Sequence, residues 1–245
     1  KPNLKLPGLQ QHILEEIYAC GKPVVLVLLS GSALAVNWAD EHIPAIIQGW
    51  YPGAQGGKAI ADILFGEKNP EGKLPVTFYR STDELPEFTD YSMKGRTYRY
   101  MKSEPLYPFG FGLSYTTFAY SDVKVDKNAL DADGVTVTAT VTNTGSMDGA
   151  ETMQVYVKVN QENTPNAQLK GIKKIALKAG ESKTVSVKLP QEAFALFDEE
   201  GVLRLTAGDA TVYVGGHAPD TRSNALTGTK AEEFKIQIAE NKVLA

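Results

Sequence analysis

Two fold classes follow one another in this sequence: an α/β part with a mostly parallel sheet, then an all-β sandwich. Three observations predict them. Residues 1–80 alternate helix and strand signals, and their strands are continuous apolar runs such as "PVVLVLL" (23–29), the pattern of strands covered on both faces. From about residue 113 onward, β-branched strands recur at roughly ten-residue spacing, as in a sandwich. Between the two, ten aromatic residues fall within 88–120 among glycine, proline and serine.

The elements follow in order. "PGLQQHILEEIYACG" places Leu9, Ile13, Leu14 and Ile17 at helical spacing and stops at Gly21. "KPVVLVLLSG" is a buried strand, "SALAVNWADEH" a short helix and "IPAIIQGWY" a second buried strand. "GAQGGKAIADILFG" is a helix that starts in glycines, and "NPEGKLPVTFYRS" is a turn and a short strand. So few parallel strands leave unpaired edges and little cover, which predicts that this part packs against more chain. "TTFAYSDVKV", "GVTVTATVTNTG", "AETMQVYVKVN", "QLKGIKKIAL", "ESKTVSVKLP", "GVLRLTAG" and "ATVYVGG" are the sandwich strands. The reading divides the chain into 1–80, an aromatic-rich linker over 81–112, and 113–245.

In "YPFGFGLSYTTFAYS" (107–121) the glycines permit backbone that other residues avoid, and the rings supply rigid apolar area. The segment is predicted to cement the two parts, with Phe109, Phe111 and Tyr115 largely buried and the crossing complete near Thr116.

Net charge is −4 without a basic stripe, which argues against nucleic acid. No apolar run reaches membrane-spanning length, so no membrane partner is expected. The single cysteine, Cys20, forms no internal disulfide and reads as a small buried apolar group. The opening "KPNLKLPGLQQHILEEI" lacks Met and starts in mid-pattern, as though chain precedes it. Compartment stays open between bacterial periplasm or secretion and cytoplasm.

Five motifs in order resemble glycoside hydrolase family 3: "KPVVLVLLSGSALAVNWA" (22–39), "GWYPGAQGGKAIADILFGEKNPEGKLPVTF" (49–78), "GRTYRYMKSEPLYPFGFGLSYTTF" (95–118), "VTNTGSMDGAETMQVYV" (141–157) and "QLKGIKKIALKAGESKTV" (168–185). One departure is "PGAQGG" (52–57), where the family usually has "PGQEGG". The resemblance implies the end of an α/β sandwich domain followed by a fibronectin type III-like domain. It implies a retaining β-glucosidase or β-xylosidase that removes terminal sugars from oligosaccharides or aryl glycosides, without cofactor. "DYSMKGRTYRY" (90–100) looks more like the xylosidase-type branch. The partners implied are an N-terminal barrel and the first part of the α/β domain, and a homodimer is left open. The nucleophilic Asp and the acid/base Glu are expected upstream, so no catalytic residue falls in this chain. The rival reading is a stand-alone, non-catalytic carbohydrate-binding or scaffolding module.

Glu15, Glu16, Asp40, Glu41, Asp62, Glu67 and Glu71 read as solvated carboxylates, since no local motif sets any of them beside a sugar. His12, His42 and His217 show no metal spacing, so no metal is expected. "YPGAQGG" before a helix lacks the ending of a phosphate loop, and its glycines are read as permitting close helix–sheet packing. "GRTYRY" is the candidate substrate rim. Arg96 and Arg99 offer forked donors and Tyr98 and Tyr100 stacking faces, although the same residues could simply pin the linker.

Overall fold

The computed structural model describes residues 3–244. Helix α1 (Gln10–Ala19) ends where Gly21 turns with φ +68°. Strand β1 (Val25–Leu28), helix α2 (Asn37–His42), strand β2 (Ala45–Gln48) and helix α3 (Gly56–Leu64) follow. β1 and β2 pair in parallel from Val25–Ala45 to Leu28–Gln48. Leu14, Leu28, Val36, Ala39, Ile43 and Phe78 form the core of this part, and Leu106, from beyond residue 80, completes it.

The expected mostly parallel sheet is not what forms. Its parallel pairing stops at two strands, and every other paired sheet is antiparallel. The "KLPVTF" segment makes only an isolated antiparallel bridge, Phe78 to Tyr107, because the linker rather than another parallel strand lies beside it. The apolar strands are also less covered than their composition suggests. Val25 is 45% and Leu29 58% exposed, since α1–α3 cannot cover both faces.

The linker holds a 3-10 turn at Thr82–Glu84 and one short α-helix, α4 (Thr97–Tyr100). The sandwich then builds from β3 (Phe118–Val125), β4 (Val135–Asn143), β5 (Gly149–Val159), β6 (Gln168–Leu177), β7 (Ser182–Leu189), β8 (Leu196–Phe197), β9 (Leu203–Leu205), β10 (Gly208–Gly215), α5 (Thr221–Thr227), β11 (Glu232–Ile238) and β12 (Lys242–Val243). One sheet has the order β3-β4-β7, the facing one β11-β10-β5-β6, and a small third sheet β12-β9-β8. β4 alternates buried and half-buried positions, as a strand with one face on a core must. β5 is buried nearly throughout. Its Met153, Val155 and Val157 enter the sandwich core. Its Gln154 and Tyr156 belong to the opposite face and are covered by the linker.

Candidate functional site

The linker reaches "GRTYRY" through two left-handed residues, Gly95 (φ +73°) and Thr97 (φ +55°). A threonine there is strained. Its N–H donates to the Tyr79 hydroxyl at 2.7 Å, which ties the kink to the α/β part. Arg96 turns back on its own loop, and one guanidinium nitrogen donates to the carbonyls of Glu87 (2.9 Å) and Asp90 (2.6 Å). Tyr98 turns the other way. Its ring stacks on Phe109, with centroids 4.1 Å apart and planes within 8°, and meets Tyr156 edge-on at 6.3 Å. Its hydroxyl accepts from the Leu169 N–H at 3.2 Å. Arg99 stays exposed, with its guanidinium carbon 6.0 Å from the Tyr98 ring centroid. The three rim candidates are therefore neighbours aimed at different targets, and Arg99 alone has an exposed side chain without a hydrogen-bonded acceptor among the described residues.

Sequence reasoning missed Asn166, which holds this helix. Its backbone N–H donates to the Arg99 carbonyl at 2.7 Å. Its amide donates to the carbonyls of Tyr98 (3.0 Å) and Met101 (2.9 Å). "ENTPNAQ" carries turn residues, but nothing in it announces a partner some 65 positions away.

Four polar nodes lock the linker and the α/β part to the sandwich. Asp40 accepts from the Tyr107 hydroxyl (2.7 Å) and from Arg222 on α5 (3.1 Å). Burial and the neighbouring Asp40 carboxylate push the Tyr107 hydroxyl far above its ordinary pKa. The Asn69 side chain accepts from Ser114 and from the Tyr115 N–H (both 2.8 Å), and donates to the Asp148 carbonyl (3.2 Å). Lys73 donates to the Gly112 carbonyl (2.8 Å) and lies 3.7 Å from buried Glu151, which accepts from Tyr120 (3.1 Å). The Gln154 amide donates to the carbonyls of Gly110 and Gly216 (both 2.9 Å), while its oxygen accepts from Tyr156 (2.6 Å). Asp40 and Glu71 are thus not simply solvated. Both cross to the sandwich, Glu71 through Lys174 at 2.8 Å.

The aromatic cement holds with one correction. Phe109 and Phe111 are half-buried, and Phe111 stacks on Tyr107 with centroids 5.9 Å apart. Tyr115 is 53% exposed instead of buried, because only its hydroxyl engages, donating to the Ile63 carbonyl at 2.9 Å. Cys20, expected to be buried, is exposed just past the end of α1. His217 is buried between the Ala218 carbonyl and the Thr229 hydroxyl, and His42 stacks on Trp38. No cluster of three metal-ligating side chains occurs among the described residues. Beside Tyr98 and Phe109 a cleft of about 390 Å³ opens between the linker and the outer face of β5 and β10.

Comparison with known proteins agrees with the motifs. The profile of the Glycosyl hydrolase family 3 C-terminal domain matches residues 1–115, and that of the fibronectin type III-like domain matches 151–218. A xylan 1,4-β-xylosidase of Xylanibacter ruminicola is 42% identical over 94% of this chain and 27% of its own length. A periplasmic β-glucosidase of Salmonella typhimurium is 40% identical over 88% of this chain and 30% of its own length. A β-glucosidase structure from Thermotoga neapolitana, in complex with α-D-glucose, superposes on the whole chain with a TM-score of 0.85 at 29% identity, over 36% of that chain. The chain thus spans about a third, or less, of the length of these relatives. By its motifs, its two matched domains and its fold, it belongs to glycoside hydrolase family 3 and corresponds to the C-terminal portion of that family's enzymes.

Proposed function

We propose that this chain is the C-terminal portion of a retaining exo-β-glycosidase that removes terminal glucose or xylose from β-linked substrates. The observation that carries the reading is the 42% identity to a β-xylosidase over 94% of the chain. Retention requires two carboxyl groups about 5–5.5 Å apart, one nucleophilic and one acid/base. The carboxyl group here that burial pushes up in pKa is Glu151, and it is enclosed by Lys73 and Tyr120 at the junction, where no sugar could reach it. We assign the catalytic pair to other parts of the whole protein, as the family resemblance implies, and no step calls for a cofactor.

The uncovered apolar face supports the same reading. Leu9, Ile13 and Ile17 recur on one side of α1 and are 70%, 52% and 49% exposed. A patch of this kind marks a surface that another part covers. The role assigned to this chain is positional. Its polar nodes fix the α/β part on the sandwich, so that the catalytic groups meet with little positional error. Within the rim segment, Arg99 is the residue assigned to substrate, with Arg96 and Tyr98 as the posts that hold it.

The test is to assay the complete gene product and the 245-residue chain on aryl β-xyloside and β-glucoside, following anomeric configuration by NMR. The complete product should turn over with retention and the chain alone should not. A complete product without β-glycosidase activity would overturn the proposal. So would an active chain that loses turnover when a carboxylate within 1–80 is replaced.

A further inference from the structure

We propose that the cleft between the linker and the outer face of β5 and β10 is a binding site for a pyranose sugar. Its volume of about 390 Å³ lies in the range of small-ligand sites, roughly 300–1,000 Å³. The stacked pair Tyr98–Phe109 forms one wall and Tyr213 belongs to the floor. Because Tyr98 is held by Leu169, Tyr156 and Phe109 at once, that wall is preorganised, and no ligand has to order it.

The polar groups point to a hydroxylated ligand rather than an oily one. Thr77 lines the cleft and is 7% exposed, and its hydroxyl has no hydrogen-bond partner among the described residues. Such an orphan is rare in a folded protein. The Asn166 amide nitrogen is spent on the Tyr98 and Met101 carbonyls, which leaves its oxygen without a partner among the described residues. The Lys158 ammonium is directed into the 164–165 turn, 3.0 Å from the Thr164 hydroxyl, and the Asp220 carboxylate is spent capping α5. Glu104, also in the lining, is paired with Arg80 at 3.2 Å, and exposed Lys102 is the one charged lining residue without a partner among the described residues. A pyranose offers C–H faces to the rings and hydroxyls to the unpaired oxygens, and tyrosine combines apolar area with a polar tip in the way such a ligand needs.

This inference does not depend on where catalysis takes place, because it is read by binding. The 245-residue chain is titrated calorimetrically with xylobiose and with cellobiose, after a melting curve has shown that it folds cooperatively. If it does not, the titrations are run on the complete gene product and read as the difference between it and the two cleft variants, because its catalytic site takes the same sugars. Saturable binding is expected with a Kd of about 1 mM, which is modest because the cleft is open to solvent. Ala167→Trp, which adds bulk to the cleft lining, and Tyr213→Ala should each weaken binding at least about tenfold. Phe197→Ala, on the distant small sheet, should leave it unchanged. Should Ala167→Trp fail to fold, Ala167→Gln takes its place. Absence of saturable binding by either sugar would overturn the proposal, and so would binding that both cleft variants leave intact.

Discussion

Arg222 on α5 and Asp40 on α2 stand 182 positions apart in sequence, and their side chains meet at 3.1 Å. The pair is partly shielded, with side-chain exposures of 18% and 22%, and Tyr107 shares the same carboxylate. Truncating one partner of a shielded pair leaves the other charge poorly compensated. Arg222→Ala should therefore lower unfolding free energy by about 1–3 kcal/mol, and Tyr107→Phe by about 1 kcal/mol. Urea denaturation of both variants and of the double variant is the measurement. The two losses should not add, because the residues share an acceptor. Strict additivity, or no loss in either variant, would break the interpretation of Asp40 as a node.

Gly110 is required for two separate reasons. Its φ of +80° disfavours an L-residue, and a Cβ there would run into the Gln154 oxygen and the Tyr156 hydroxyl. Those two atoms are already bonded to each other and cannot withdraw cheaply. Gly180, at φ +75°, faces open space. Gly180→Ala should cost only the backbone penalty of about 1–2 kcal/mol, and Gly110→Ala should cost clearly more. Comparing the two melting temperatures separates backbone strain from steric clash. Equal shifts would mean that the junction is looser than its hydrogen bonds indicate.

Asn166→Ala should free α4 without unfolding the sandwich. It removes the donors to the Tyr98 and Met101 carbonyls, while the backbone bond to the Arg99 carbonyl survives. The expected loss is about 1–2 kcal/mol, with faster amide exchange confined to residues 97–101. Asn166→Asp is nearly isosteric but turns a donor into an acceptor facing two carbonyls, so it should be at least as harmful. An Asp variant as stable as the parent would show that the amide is not the holding group.

The sandwich was legible because its strands alternate. "VTVTATVTN" returns as the alternating burial of β4, and "QLKGIKKIAL" and "ESKTVSVKLP" return as β6 and β7. α5 and β11 went unread, since "TRSNALT" and "EEFKIQI" are short and weakly periodic, and their order comes from Asp220 capping and pairing with β10. In the α/β part, the apolar runs 23–29 and 43–47 predicted strands correctly but overstated their burial, because composition reports what a strand tolerates rather than what covers it. The candidate site divided in the same way. "GRTYRY" signalled an unusual local structure, but whether Arg96 faced a ligand or the Glu87 and Asp90 carbonyls depended on a loop whose conformation no periodicity encodes. Asn166, Arg222 and Asn69 owe their roles to contacts between distant segments, which a single sequence does not display.

Glu151 should make stability depend on pH in the direction opposite to an ordinary ion-paired carboxylate. It is 5% exposed, and burial pushes its pKa up despite Lys73 at 3.7 Å and the hydrogen bond from Tyr120. The folded state thus binds the proton of Glu151 more tightly than the unfolded chain does. Its contribution is most favourable below the unfolded pKa and is lost as pH rises through the raised folded value. Other carboxylates act in the opposite sense, since Asp131, Glu181 and Asp198 are lowered by their lysine, arginine and backbone partners. The quantity to follow is therefore the difference between the parent and Glu151→Gln, a variant that keeps an acceptor for Tyr120 but cannot ionise. That difference should move in favour of the variant as pH rises from the unfolded pKa through the raised folded value, then level off above it. Lys73→Met should steepen the parent's loss over the same window, because it removes the charge that partly offsets burial. Denaturant titrations at stepped pH read both effects. A parent-minus-variant difference that stays flat, or that favours the parent increasingly toward neutral pH, would mean that the ion pair with Lys73 outweighs the burial of Glu151.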